Sequence, residues 1–349
     1  MDKKKALKKL CIFIAMGLFL IGGIVYLFDP FYQYHRPVMG MEPAFFERET
    51  QVIGSVRNME YDSVLLGSSE AENFDSTFLD AQFDCKTLKV IKGSGSVVDL
   101  LYYLNRAHEE KEIKQVFWCM DIFALLLDTK LSVYSEYSPK HLFTDTILDD
   151  FTYLFNKDVL FEKIPLLLAY SKTGTFTKGK AYSWGDEKSF SKETAMYAYQ
   201  KPDEVKEAEE LLPNIKLMEE NIALIEEQIE AHKDVKYTIF FPPYSLMWWD
   251  AMYTAGGSEK FLVAIEKVLP MLLSHENVEV FFFATDRDIT CNLDYYMDQI
   301  HYSPEISQMI LNSLVSGDYK VTTDNVDEVI KNMRDTFSYM VEEAIYNYY

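Results

Sequence analysis

Tyr61-Asp62-Ser63-Val64-Leu65-Leu66-Gly67-Ser68-Ser69-Glu70 is the stretch that decides the fold of this chain. Its apolar centre has strand length and does not alternate with polar residues. Such runs mark strands buried on both faces, the habit of parallel sheets. Four more runs of this kind follow, at 87–92, 115–120, 236–241 and 278–283. Helical stretches fall between them, at 97–112, 203–232 and 258–274. Alternation of strand and helix predicts an α/β domain over 61–349, with five parallel strands in one open sheet and helices on both sides.

Other segments are arranged around that frame. Residues 29–60 read as a juxtamembrane lead-in. Residues 125–201 break the rhythm and are rich in Tyr, Phe, Lys and Ser, with Gly174, Gly179 and Gly185. They read as an insertion after the third strand, at the strand edge where open α/β sheets place ligands. A lid, an acceptor-binding surface and an inert packing elaboration all fit that composition. Near the end, Ser303 is placed to cap a helix that has Pro304 in its first turn and Gly317 just past its end. A long amphipathic helix is expected over 324–345.

The chain has 349 residues, 48% of them apolar, and a net charge of −21. Residues 1–9 hold five lysines against one aspartate, which leaves −25 on the remainder. Nucleic acid is therefore excluded as a partner, since phosphate binding needs Lys and Arg clusters. Residues 10–28 carry no charge over 19 positions, and about 20 apolar residues cross a bilayer as a helix. With the lysines before it and Asp29 after it, the span predicts a cytoplasmic tip at 1–9, a single-pass anchor at 10–28 and an extracellular body. A cleaved signal peptide is the competing reading, but 22–28 lacks a small-x-small cleavage site. Tyr26, Phe28, Phe31, Tyr32 and Tyr34 are expected as an interfacial aromatic belt. Cys11, Cys85, Cys119 and Cys291 are scattered and form neither a disulfide framework nor a zinc pattern. Their best reading is as small buried hydrophobes. No metal or other cofactor is expected.

The candidate chemistry lies at the strand ends. Gly67 allows a sharp turn, which exposes Ser68 or Ser69 as a nucleophile, and a serine needs an adjacent base. Of six histidines, His35 is beside the anchor and His108 is on a solvated helix face. His232 and His275 are surface residues near helix ends, and His141 is in the insertion. His301 follows the fifth strand, with Asp298 three residues earlier. That spacing lets a carboxylate fix the tautomer of the ring and stabilise the imidazolium. The second strand runs into Lys92-Gly93-Ser94-Gly95-Ser96, whose glycines offer backbone N–H groups to an oxyanion. The third strand ends at Asp121 and the fourth at Pro242-Pro243-Tyr244-Ser245. Tyr244 and Ser245 thus join the candidate substrate edge.

These segments, with Asp298-Gln299-Ile300-His301-Tyr302-Ser303, resemble the SGNH/GDSL hydrolase superfamily. Within it the chain is most similar to membrane-anchored DltD-like cell-surface proteins of Gram-positive bacteria. The resemblance covers most of 29–320, more weakly in the insertion. It implies a flavodoxin-like three-layer α/β/α domain, with Ser69 as nucleophile, His301 as base and Asp298 orienting it. It also implies that the Gly95 N–H helps form the oxyanion hole. Where the superfamily has an asparagine donor, this chain has Asp121. Either Asp121 is structural, or another donor such as Ser68 or Asn73 takes over. The implied activity is a serine esterase or O-acyltransferase acting on acyl esters of a cell-envelope polymer or glycan. The implied partner is a membrane-bound O-acyltransferase. The alternatives are a degenerate module that scaffolds an envelope acylation complex and, more distantly, an adhesion or sensory ectodomain.

Overall fold

Five strands in this chain are almost wholly buried along their length, so their sheet has to be covered on both faces. The computed structural model describes residues 3–134, 138–144 and 146–349. Residues 1–2 of the expected tip and 135–137 and 145 of the expected insertion lie outside the described residues. In chain order the elements begin with α1 (Lys3–Phe28), α2 (Arg48–Asn58), β1 (Ser63–Gly67), α3 (Ser76–Phe83), β2 (Thr87–Ile91), α4 (Val97–Glu110) and β3 (Gln115–Cys119). There follow α5 (Ile147–Leu154), α6 (Ile164–Thr173), α7 (Lys192–Tyr197), α8 (Leu211–Ala231), β4 (Lys236–Phe241), α9 (Leu246–Thr254), α10 (Ser258–Leu273) and β5 (Val278–Phe282). The chain closes with α11 (Arg287–Thr290), α12 (Pro304–Ser316), β6 (Lys320–Val321) and α13 (Val326–Glu342).

The sheet has six strands in the order β2-β1-β3-β4-β5-β6. The first five are parallel, with Ser63 opposite both Thr87 and Gln115. β6 is antiparallel to β5, which corrects the expectation of a purely parallel five-stranded sheet. Two residues are too few to show a periodicity in sequence. β6 forms because α12 ends at Gly317 in the left-handed conformation and turns the chain back along β5. There Lys320 Nζ meets Glu279 Oε1 at 2.8 Å. The chain moves from β1 outward to β2, then returns past β1 to β3. That reversal opens a crevice beyond the carboxyl ends of β1 and β3, where such sheets bind ligands.

α8 starts at Leu211, not at 203 as expected. Residues 203–210 instead run beside the end of α9, with Lys206 N–H donating to Thr254 O and Glu209 N–H to Gly256 O, each at 2.9 Å. Gly256 has φ +80°, and a Cβ there would lie 2.2 Å from Glu207 O, so glycine is required. Likewise α13 is shorter than the expected 324–345.

The chain divides into two compact units, Met1–Glu60 with Tyr134–Tyr182, and Tyr61–Val133 with Ser183–Tyr349. The sheet belongs to the second. In the first, α1 is long and apolar enough to cross a membrane. It ends at Asp29, whose carboxylate accepts the N–H groups of Gln33, Tyr34 and His35 and the hydroxyl of Tyr153. This elbow draws Phe31 and Tyr32 into the unit's core. They are therefore not lipid-facing members of an aromatic belt, a role open to exposed Tyr26.

Candidate active site

The site starts where β1 stops. A Cβ on Gly67 would fall 2.7 Å from Ala71 Cβ and 3.1 Å from Cys119. The turn from β1 into the single helical turn Ser69–Ala71 is therefore too tight for any side chain at Gly67. Ser68 caps that turn, its hydroxyl accepting the Glu70 N–H. Ser69 is left half-buried at the crevice, while Ser68 and Glu70 point inward and are buried. From β2, Lys89 Nζ donates to Glu72 O at 2.7 Å and steadies the same turn. Burial lowers the pKa of Lys89 to about 7, although Asp75 and Glu72 act to raise it.

Ser69 Oγ lies 2.9 Å from His301 Nε2, and His301 Nδ1 lies 2.7 Å from Asp298 Oδ2. The other Asp298 oxygen accepts the backbone N–H groups of Ile300 and His301, at 2.9 and 2.8 Å. Burial would raise the Asp298 pKa, but the His301 ring and these two N–H groups outweigh it and hold the carboxyl below its usual range. The loop is clamped at its base by a bridge between Tyr296 and Tyr302 and by Met297 N–H donating to His301 O. Tyr296 donates its hydroxyl to Pro243 O at 2.8 Å. The Trp184 indole and the His301 ring stand at right angles, with centroids 5.3 Å apart. The three residues predicted for the relay are thus brought together.

The residues predicted for the oxyanion side divide. Asn73 Oδ1 accepts from Ser183 Oγ, Trp184 N–H and Gly185 N–H at 3.1, 3.1 and 2.9 Å. Three donors on one oxygen fix the amide and leave Nδ2 with no acceptor among the described residues. The Ser69 N–H is likewise without an acceptor. Gly95 departs from the expectation, because its N–H donates to Lys92 O at 2.9 Å and closes the turn after β2. Ser68 is buried and acts as a cap. Tyr244 is fully buried and donates its hydroxyl to Asp121 Oδ1. Ser245 is also buried, and its hydroxyl donates to Gln299 O at 2.7 Å, pinning the Asp298–His301 loop. Tyr244 and Ser245 therefore support the site from below, away from the substrate edge.

Asp121 is buried, with Oδ2 lacking a hydrogen-bond partner. Burial raises its pKa, an effect only partly offset by the Ser68 and Tyr244 hydroxyls and by His301. Next to it is a group that sequence reasoning missed. Glu70 is fully buried, its Oε1 has no hydrogen-bond partner, and that oxygen lies 3.6 Å from His301 Nε2. Burial, with the negative charges of Asp121, Asp298 and Glu72, pushes its pKa well above the usual carboxylate range. Its position directly after Ser69 was the available signal, since adjacent residues in a tight turn point to opposite sides. Trp184 gave no such signal.

The remaining histidines stand apart from Ser69. His108 is half-buried, not solvated as expected, and stacks on His232 at 3.7 Å. Burial, with the neighbouring His232, lowers the His108 pKa to about 4. His275 is largely buried, and its Nδ1 lies 3.0 Å from Glu230. His141 belongs to the other compact unit. Among the described residues no cluster of His, Cys, Asp and Glu could hold a metal ion. No protein-family model matches the chain, and no curated protein matches it either.

Proposed function

We propose that this chain is a membrane-anchored serine esterase or acyltransferase of the SGNH type, acting outside the cytoplasm on acyl esters of a cell-envelope polymer or glycan. The observation that carries this reading is the relay Ser69 Oγ–His301 Nε2–Asp298, at 2.9 and 2.7 Å, within the roughly 2.6–3.2 Å reach that a nucleophile and its base need.

The chemistry follows from the contacts. His301 Nε2 takes the Ser69 proton as Oγ attacks the acyl carbonyl. Asp298 holds the opposite N–H and stabilises the imidazolium. The developing oxyanion is assigned to the Ser69 N–H and to Asn73 Nδ2, neither of which has an acceptor among the described residues. His301 then gives its proton to the leaving alkoxide, and an acyl-Ser69 ester remains. Water resolves that ester in hydrolysis, and an acceptor hydroxyl resolves it in transfer, with His301 again as base. A membrane-bound O-acyltransferase fits as the acyl donor for transfer. An uncleaved α1, with its lysine-rich end in the cytoplasm, would hold the domain beside such a partner.

A fluorophosphonate probe on the purified full chain tests this reading. Labelling that is lost in Ser69→Ala is expected, and no labelling of the wild type would count against it. Two observations favour a second reading, a non-catalytic scaffold: the engaged Gly95 N–H and the carboxyl of Asp121 where the resemblance implies an asparagine donor. On that reading Ser69→Ala leaves the acyl content of the envelope unchanged in cells.

A further inference from the structure

The strongest unassigned feature lies in the unit that contains α1. The uncharged stretch at 10–28 is about 28 Å long at 1.5 Å per residue, close to the roughly 30 Å of a bilayer's hydrocarbon core. Phe19 is 84% exposed, as a lipid-facing residue of such a helix would be. One side of α1 is nevertheless covered by protein. Val25 and Gly22 are buried, and a Cβ on Gly22 would lie 3.3 Å from the Phe155 ring and 4.0 Å from Leu154 Cβ. Gly22 is six residues before Phe28, about 9 Å along the helix axis. The end of α5 therefore sits beside α1 at a level below the point where α1 leaves the membrane.

The elements beside that contact expose several large apolar side chains. Leu148 and Phe151 of α5 are 80% and 56% exposed, and Phe161 of the π-helical turn Val159–Lys163 is 76% exposed. Leu168 of α6 is exposed as well. Several large exposed side chains on adjoining elements mark an interaction surface. Charged residues flank the apolar ones: Lys163 is paired with Glu47 and Glu162, and Lys157 and Asp158 are exposed between α5 and the turn. Asp149 and Asp150 are partly exposed beside Leu148 and Phe151, which sets those positions at the headgroup level.

We propose that α5, the turn Val159–Lys163 and α6 lie in the lipid leaflet from which α1 emerges, with Leu148, Phe151 and Phe161 inserted among the acyl chains. The depth of the Gly22–Phe155 contact matches the roughly 5–10 Å to which interfacial helices sink. A second copy of this chain, or another membrane protein, would have to cover the same residues at the same depth. The lipid is the partner that the α1 contact already supplies. The consequence for function is orientation: a second point of attachment stops the unit from swinging about α1. This proposal rests on the anchor reading of α1.

The test uses the full chain in phospholipid nanodiscs, with Cys11, Cys85 and Cys291 replaced by serine and Cys119 left buried in β3. An environment-sensitive fluorophore is placed in turn on Leu148→Cys, Phe161→Cys, Phe19→Cys and Tyr197→Cys. Doxyl-labelled lipids should quench the labels at 148 and 161 at least half as strongly as the label at 19, and should leave the label at 197 unquenched. Labels at 148 and 161 that behave like the one at 197 would overturn the proposal. Labels shielded from both water and doxyl groups would overturn it too, showing that protein covers the patch. Absence of quenching at 19 would overturn the anchor reading, and this proposal with it, and is thereby told apart from failure at 148 and 161 alone.

Discussion

The two sides of Ser69 are built in opposite ways. On the His301 side, one short loop supplies base, orienting carboxylate and clamp, and Tyr296 and Ser245 pin it in place. On the oxyanion side, the proposed donors lie close to Ser69 in sequence, but one of them is aimed from far away. The Asn73 amide is aimed by Ser183, Trp184 and Gly185, more than a hundred residues away. The turn after β2 keeps its own N–H engaged. The first side depends on a spacing, the second on a tertiary arrangement. Substitutions on the two sides should therefore differ in size and in kind.

The largest losses belong to the relay. Ser69→Ala should lower acyl-ester turnover by about 10⁴–10⁶, with little further loss on adding His301→Ala, because such groups act as a unit. Asp298→Asn should cost about 10⁴, since the amide stabilises the wrong tautomer. Steady-state kinetics on a soluble aryl ester measures both. Equal small losses in the two variants would erase the distinction between the sides. Next is the oxyanion side. Asn73→Ala should lower kcat by about 10²–10³, the usual worth of one donor. Gly95 should be insensitive to the loss of its N–H as an oxyanion donor. If Asn73→Ala changes KM alone, its amide binds substrate and does not serve the transition state.

This asymmetry also explains what was legible in the sequence. The five parallel strands were readable because each is a largely apolar run of strand length, broken only by single residues such as Lys89 and Glu279, and Asp298 with His301 because three residues of separation suffice to bring them together. Residues 134–182 were read as part of an insertion after β3, yet they cluster with 1–60. No local pattern reports which segments share a core. Asp121 was readable as a residue but not as a buried group of raised pKa, for that property comes from its burial in the folded domain, which the Ser68 and Tyr244 hydroxyls only partly offset. Asn73 stood as one alternative among several until its three donors fixed its amide.

A smaller effect should appear in stability at the junction of the two sides. Glu70 has a folded pKa raised above its unfolded value of about 4.3. Between those two values the folded state holds a proton that the unfolded state has lost, so stability falls as pH rises through that window. Glu70→Gln removes this slope. The melting temperature of the variant should exceed that of the wild type at pH 8 by roughly 2–4 °C per kcal/mol recovered, and the gap should close toward pH 4. A gap that widens on acidification would mean that Glu70 is ionised in the fold and paired.

The smallest expected effect concerns Asp121. If an ionised Asp121 faced the oxyanion, Asp121→Asn would replace a repelling charge by a donor and raise turnover by about 10²–10³. The geometry argues otherwise. Asp121 is buried, accepts the Tyr244 hydroxyl, and has its charge disfavoured by burial. An asparagine carbonyl can accept the same hydroxyl, so the contact survives the change. Turnover should stay within about threefold of the wild type, and Tyr244→Phe should leave it equally flat while lowering stability by about 1–3 kcal/mol for the acceptor left unpaired. A rise of a hundredfold in Asp121→Asn would show instead that the oxyanion side is incomplete as it stands. The proposed donors at Ser69 and Asn73 would then be insufficient, and the scaffold reading would gain the support that the relay geometry now denies it.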